Sequence, residues 1–577
     1  MDLSLSLTTL KILAWSKVVF FVYGALMLFF IFKVKKPLAY VLLTTLAIFI
    51  FYLILFWPLK RMWAGNIGDE LFIMDFLGKV LLDNPWRDFY YGWLPNFYPP
   101  LYFWLTGLIS RPFAHNAIVA SKIGIAWAIM AFFLGSYGWQ YIFWQKINKK
   151  QIEKKDIVSS AWFWFLLPLL YFVMIGFDSF IFKPYEALSA LFGVILLGII
   201  SKSFYVKNWT KKYYLFIGLS GGILFLLFYF WWLIFIPAIL VLIILTKNKL
   251  LNFKRFVYFG LIIALIASIF VLPLLGSYFK YGLENGQAIY FVVGDFFGFA
   301  PWRELGLEAI FYLLGLVGLI LFYKKSFVKA SLITLIICYF YQFFNILYFL
   351  LGQRPIQPSK PFLFLGTASI AVGLTYLLLY IYQKYIVNRS IAIKRGLLII
   401  IFILVLFKMP FASYIDDQKV LAQIEKDLVA PQPTMALAEA IKVKVPDYQN
   451  RLWLSSGSME LGAYLPLSYY IAPSIHFSHQ ASRYSDRMAK IEKMSQAKTP
   501  EEFMAIVNST EPRAIDTLLF YHDKNSDENS YYTLYFWQDN FPNGGKDAEV
   551  YLPQSLIIDK YWEKVYDEDN WIIFLRK

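Results

Sequence analysis

Apolar and polar positions fall in long alternating blocks. Apolar runs near twenty residues recur from the N-terminus to about residue 411, the length a helix needs to cross the hydrocarbon core of a bilayer. The runs predict spans at about 13–33, 38–57, 116–144, 158–176, 184–201, 213–230, 231–246, 256–279, 306–323, 328–350, 361–383 and 394–411. The stretch 213–246 has no polar turn, and Gly221, Gly222 and Pro237 supply the places where it can break. The first run, Ile12 to Phe32, exceeds a signal-peptide core and is read as retained. Between the second and third runs, Leu71, Met74, Leu77 and Leu81 recur at helical spacing with Asp75 and Lys79 between them. That pattern predicts an amphipathic helix lying along the membrane.

After Met409-Pro410 the pattern changes. Residues 412–577 carry charge throughout and no membrane-length run. Helices are expected at Asp416 to Val429 and Thr434 to Lys444. Strands are expected at Arg451 to Ser455, Ala514 to Phe520, Tyr531 to Trp537, Ala548 to Leu552 and Trp571 to Leu575, short segments bounded by turn formers. The fold class is therefore a polytopic α-helical membrane protein of about 11–13 transmembrane helices, with a multi-spanning domain over 1–411 and a soluble α/β domain over 412–577.

Composition agrees: 59% of the 577 residues are hydrophobic and 16% charged, against about half and a quarter in a soluble domain. The net charge of +16 suggests nucleic acid until its placement is read. Lys and Arg concentrate in Lys33–Lys36, Lys146–Lys155, Lys202–Lys212, Lys247–Arg255, Lys324–Lys329 and Lys384–Arg395. Putting all six in the cytoplasm satisfies the positive-inside rule. The partners implied are membrane lipids, with no nucleic acid. The links 58–115, 177–183, 280–305 and 351–360, both termini and the soluble domain then lie outside the cell membrane. The one cysteine, Cys338, permits no intrachain disulfide.

Polar chemistry crowds into those outer links. Asn66-Ile-Gly-Asp-Glu-Leu-Phe72 places Asp69 and Glu70 at the membrane surface, where either is a candidate base. A helix N-cap followed by a first-turn acid explains the same pair. Tyr98 and Trp104 belong to an aromatic, proline-stiffened segment suited to the interface. Lys183, Tyr185 and Glu186 put a cation, a phenol and a carboxylate at the start of a span, as a functional group or as interfacial anchors. Arg354 and Lys360 lie in a short outer link where topology does not call for cations, and a phosphate clamp is the sharper reading. Asp295 and Arg303 flank an aromatic stretch that reads as a sugar platform or an interfacial belt. His476 and His479 are read as surface or acceptor-contact residues rather than metal ligands. Neither a phosphate-binding Gly-rich loop nor a His-Glu-x-x-His zinc motif occurs. No cofactor is called for, and a divalent cation stays open. Transfer of a sugar from a lipid phosphate needs a base for the acceptor proton and cations for the departing phosphate. Both are present on the same side.

The chain resembles membrane glycosyltransferases of the GT-C class that use polyprenyl-phosphate sugars, and more narrowly the arabinofuranosyltransferases that prime galactan in bacterial walls. The resemblance is carried by Gly68-Asp69-Glu70, Phe97-Tyr-Pro-Pro-Leu-Tyr-Phe-Trp104 and Lys183-Pro-Tyr-Glu186. In the soluble domain Lys498-Thr-Pro-Glu-Glu-Phe503 and Tyr532-Thr-Leu-Tyr-Phe-Trp-Gln-Asp-Asn-Phe-Pro-Asn543 continue it. It implies inverting transfer of arabinofuranose from a polyprenyl-phosphate donor to a galactan-like cell-wall polysaccharide. It also implies Asp69 as base, with Glu70 second. A transporter or flippase of lipid-linked saccharides is the alternative, and a wall-assembly scaffold a third. Transporters commonly carry duplicated halves, and no duplicated pattern is visible here.

Overall fold

The computed structural model describes residues 5–63, 65, 68–82, 84–114, 116–140, 157–206, 209–284, 307–413, 417–429, 433–457, 459–522, 530–541 and 543–577. Arg303, Asp295 and the basic link Lys146–Lys155 lie outside the described residues.

Among the described residues seven helices are long and apolar enough to cross a membrane: Leu7–Lys33 (α1), Pro37–Phe56 (α2), Ala117–Trp139, Pro184–Ser203, Lys249–Tyr281, Ser326–Leu350 and Phe362–Ile386. The run 213–246 becomes the helices Lys211–Leu227 and Tyr229–Ile244, bent by 118° at the break. Phe228 is extended there (φ −162°, ψ 95°) and interrupts the helical hydrogen bonding. Other expected spans appear as shorter apolar helices, Ala161–Ile175, Ala309–Leu321 and Ile391–Leu406. The protein is a polytopic helical membrane protein with a mixed-sheet domain at its C-terminus.

Lipid and protein faces separate by helix. Only 28% of the apolar window of α1 and of Lys249–Tyr281 is buried within the protein, against 94% for Pro184–Ser203. The last is therefore the central helix and the first two are peripheral. Close packing of Ala309–Leu321 on Phe362–Ile386 rests on Gly315 and Gly318 meeting Gly373 backbone to backbone, where a side chain has no room.

The described basic links gather at one end. Ser201 Oγ donates to Ser326 O at 2.7 Å, Arg255 Nη2 to Val206 O at 2.9 Å, and Arg395 Nη2 to Phe32 O at 3.2 Å. The C-terminal domain sits at the opposite end. Glu425 accepts from Ser6 N at 3.0 Å and from Thr9 Oγ1 at 2.5 Å at the start of α1. Tyr278 at the end of Lys249–Tyr281 donates to Gln480 Oε1 at 2.9 Å.

The C-terminal domain begins with helices Gln418–Val429 and Pro433–Lys444. Its sheet comprises β1 (Leu452–Ser455), β2 (Ser468–Tyr469), β3 (Thr517–Tyr521), β4 (Tyr531–Asp539), β5 (Gly545–Pro553), β6 (Trp562–Glu568) and β7 (Trp571–Arg576). β2, β1 and β3 run parallel, β7 pairs antiparallel with β3 and β6, and β4 pairs with β5 as a long hairpin. Helices Tyr484–Ser495 and Pro500–Asn508, and strands β2 and β6, were not expected from the sequence pattern.

The link after α2 is the seam between domains. It carries α3 (Asp69–Leu81) and α4 (Leu101–Ser110). α3 is not a helix lying on the membrane with one face wet: Glu70 through Val80 are all buried. Its polar residues are covered by the C-terminal domain, Asp75 against Gly462, and Lys79 donating to Pro466 O at 3.0 Å and Ser468 Oγ at 3.3 Å. Tyr469 N donates to Tyr90 O at 2.8 Å, and Arg61 Nε meets Asp427 Oδ1 at 3.0 Å. The buried Asp427 carboxylate also accepts from Lys60 N at 2.8 Å. These contacts fix the sheet domain over the membrane helices.

Candidate functional site

A cavity of about 450 Å³ opens where three links between membrane helices and the C-terminal domain meet. Asp69 enters it from the first turn of α3. The cap position is held by Gly68 at φ +59°, a left-handed conformation that a side chain rarely adopts. Asp69 is thus not the N-cap, and its carboxylate points to an ion pair: Oδ2 lies 3.0 Å from Lys183 Nζ.

Lys183 sits at the break between the short helix Phe177–Phe182 and Pro184–Ser203. Pro184 at the first helical position fixes this start, because proline lacks the N–H that a helix leaves unused there. One turn in, Glu186 is fully buried, and its Oε1 lies 2.7 Å from Lys360 Nζ. Lys360 also lies over the Phe228 ring at 5.2 Å, a contact made by the helix break described above. Tyr98 OH is 3.0 Å from Tyr185 OH and donates to Glu186 Oε1 at 3.5 Å. The C-terminal domain contributes His476 and Phe477, and Phe477 stacks on Phe72 of α3 at 5.8 Å.

Electrostatics follow from this arrangement. Burial pushes the Asp69 carboxyl up, but the ammoniums of Lys183 and Lys360 outweigh it and hold the group below its usual range. Burial pushes Lys360 down, and Glu186 opposes that fall. Burial, reinforced by the two lysines and opposed by Asp69, takes His476 down to about 3, so it is neutral near pH 7. Burial, with Glu186 adding, raises Tyr98 well above its ordinary value, so it stays a donor.

The cavity thus brings together Asp69, Tyr98, Lys183, Lys360 and His476, with Tyr185 and Glu186 directly behind them. His476 and His479 are buried rather than on the surface, at 9% and 1% exposure. Glu70 is buried and does not line the cavity. Trp104 is directed elsewhere, with Nε1 donating to Pro85 O at 2.8 Å and its ring against Trp86. Arg354 is also outside the wall. It pairs with Asp539 and lies 5.0 Å over Phe541, holding the β4–β5 hairpin to the link 351–360. Sequence reading passed over Asp178, Ser179, Gln357 and Ser359, which line the cavity. Each is within a few residues of a chosen lysine, and that adjacency was the available signal. Among the described residues no group of three or more His, Cys, Asp or Glu side chains is placed to hold a metal ion.

Comparison with known proteins bears on the upper half of this site. Residues 431–567 match the family described as Arabinofuranosyltransferase A C terminal. The matched region runs from the start of Pro433–Lys444 into β6 and includes His476 and Phe477, so it forms the roof of the cavity. The match supports a glycosyltransferase. No curated protein matches the chain significantly. Among solved structures, the archaeal oligosaccharyltransferase AglB from Archaeoglobus fulgidus, in complex with an inhibitory peptide and a dolichol-phosphate, aligns with a TM-score of 0.48. The alignment has 12% identity and covers 85% of this chain and 69% of that one.

Proposed function

We propose that the protein is an inverting glycosyltransferase that moves a sugar, arabinofuranose by the family of its C-terminal domain, from a polyprenyl-phosphate donor to a galactan-like cell-wall polysaccharide. The observation that carries the reading is a carboxylate and two ammoniums, Asp69, Lys183 and Lys360, in one cavity at the junction of membrane helices and C-terminal domain. That is where a lipid-borne phosphate and a water-borne polysaccharide can both reach. The described basic links lie at the far end of the helices, which under the positive-inside rule supports the reading that the cavity faces outward from the cell membrane.

Asp69 accepts the proton of the acceptor hydroxyl as its oxygen attacks the anomeric carbon. The bond from that carbon to the phosphate oxygen breaks, and the phosphate leaves with the electron pair. Lys183 and Lys360 hold it. The phosphate does a second thing: it competes with Asp69 for Lys183, loosening the pair that keeps the carboxylate a weak base. The base thereby strengthens when the donor is seated. Tyr98 and neutral His476 supply hydrogen bonds to sugar hydroxyls, and Phe72 and Phe477 supply an apolar face.

The test is sugar transfer by purified protein in detergent, using polyprenyl-phosphate arabinose and a short galactan acceptor. Asp69→Asn is expected to lower kcat by about 10²–10⁴, the usual contribution of a positioned base, with the protein still folded. Full activity of the variant would remove Asp69 from the role of base. No transfer by wild type with any of a panel of lipid-linked sugars would favour transport of lipid-linked saccharides instead.

A further inference from the structure

A second cavity, about 380 Å³, lies at the other end of α3, on the same seam between the domains. Its walls come from segments remote in sequence. Lys79, Asn84 and Trp93 belong to α3 and the link after it. Gln449 and Asn450 come from the turn before β1, and Arg513 from the loop before β3. Lys79 is ten residues along the helix from Asp69, about 15 Å at 1.5 Å per residue, so the cavity is separate from the reacting centre.

Its chemistry is distinct. Among the described residues the lining holds two cations, three carboxamides and an indole. Carboxamides both donate and accept, which matches hydroxyl groups rather than a bare ion. The half-buried indole of Trp93 offers an apolar face with Arg487 packed 4.9 Å over the ring. Lys79 is 5% exposed and donates to Pro466 O and Ser468 Oγ, which fixes its ammonium at the cavity wall. Volume also fits, since small-molecule sites run from about 300 to 1,000 Å³.

We propose that this cavity is a second saccharide-binding site that grips an oligosaccharide segment of the acceptor polymer away from the reacting end. The proposal rests on the glycosyltransferase reading for the identity of the polymer. Holding the chain here raises the effective concentration of its acceptor hydroxyls at Asp69. It therefore acts on long acceptors and not on short ones.

The experiment uses the full-length protein in detergent, wild type and the triple variant Asn84→Ala/Gln449→Ala/Arg513→Ala. Binding of a linear galactan octasaccharide and of the disaccharide is measured by calorimetry, and transfer kinetics with each acceptor are run beside it. Wild type is expected to bind the octasaccharide at least about tenfold more tightly than the disaccharide, the worth of one to two net hydrogen bonds. In the variant that difference disappears: KM for the long acceptor rises, while kcat and the disaccharide KM stay put. A wild type that fails to bind the octasaccharide or shows no length preference overturns the proposal, as does a folded variant that keeps the preference. Length-independent transfer would refute the second site and leave the Asp69 site standing. Length-dependent binding lost in the variant, without any transfer, would do the reverse.

Discussion

Replacing Glu186 by glutamine keeps the side-chain size and removes the charge that holds Lys360. Glu186 is fully buried and Lys360 is 13% exposed, with 2.7 Å between Nζ and Oε1. Removing one partner of a buried ion pair costs about 3–5 kcal/mol, because the other charge is left uncompensated. The glutamine still offers a carbonyl acceptor, so the low end, about 3 kcal/mol, is expected. Lys360 already sits below its ordinary range through burial, and Glu186 is the largest influence raising it. In Glu186→Gln the ammonium therefore gives up its proton at a lower pH than in wild type. A lysine is charged below its pKa and neutral above it, so donor binding in the variant weakens as pH rises, and does so earlier. The loss is that of one charge-assisted hydrogen bond to phosphate, about 1.5–3 kcal/mol, or about 10- to 150-fold in donor Kd.

The double variant Glu186→Gln/Lys360→Met separates the two effects. It leaves no unpaired buried charge at this position, so the thermal midpoint recovers most of what Glu186→Gln alone loses. Donor binding does not recover, because the cation is gone. Thermal unfolding in detergent and titration with a polyprenyl-phosphate analogue, both from neutral to alkaline pH, read the two quantities independently. A Glu186→Gln protein with wild-type donor KM at every pH would refute Lys360 as a phosphate ligand. So would a double variant that transfers sugar normally.

Other expectations are briefer. His476 is neutral throughout the physiological range because burial takes it to about 3, so His476→Asn should raise KM without changing the shape of the pH–rate profile; loss of a limb in that profile would make His476 a proton carrier. Arg354 pairs with Asp539 and lies outside the cavity wall, so Arg354→Ala should leave donor KM unchanged, and a clear rise would return it to the phosphate site. Burial lifts Asp88 to about 7, opposed by the N–H groups of Tyr91 and Tyr90 and by Lys79, while the neighbouring Asp75 is raised by burial with Asp88 adding. The folded value of Asp88 exceeds the unfolded one, so its contribution to stability is fully present below about pH 4 and is lost as pH rises through about 7. Asp88→Asn should flatten the fall in thermal midpoint over that window, and curves parallel to wild type would refute the assignment.

The sequence pattern is most readable where the solvent is simplest. Lipid accepts only apolar side chains and internally bonded backbone, so run length reports α1, α2 and the other long helices directly. It does not report bends. The break at Phe228 carries no charge, glycine or proline of its own, and its extended backbone is held by packing against Trp231 and Tyr98. The same limit explains α3. Asp75 and Lys79 at helical spacing look like a wet face, and nothing local says that a domain more than 300 residues later will cover them. Periodicity reports that a face is polar, while burial depends on what docks there.

The site divides along the same line. Asp69, Lys183, Glu186 and Lys360 were readable because short links between spans must emerge at the same surface, and few of their residues are charged. Arg354 and Lys360 share one link six residues apart, yet only Lys360 reaches the cavity. The difference is a choice between two carboxylates, Glu186 beneath the link and Asp539 above it. Asp539 belongs to a strand that is placed only once the sheet has formed. Topology thus narrows the cations to a pair, and the tertiary position of their counter-charges decides between them.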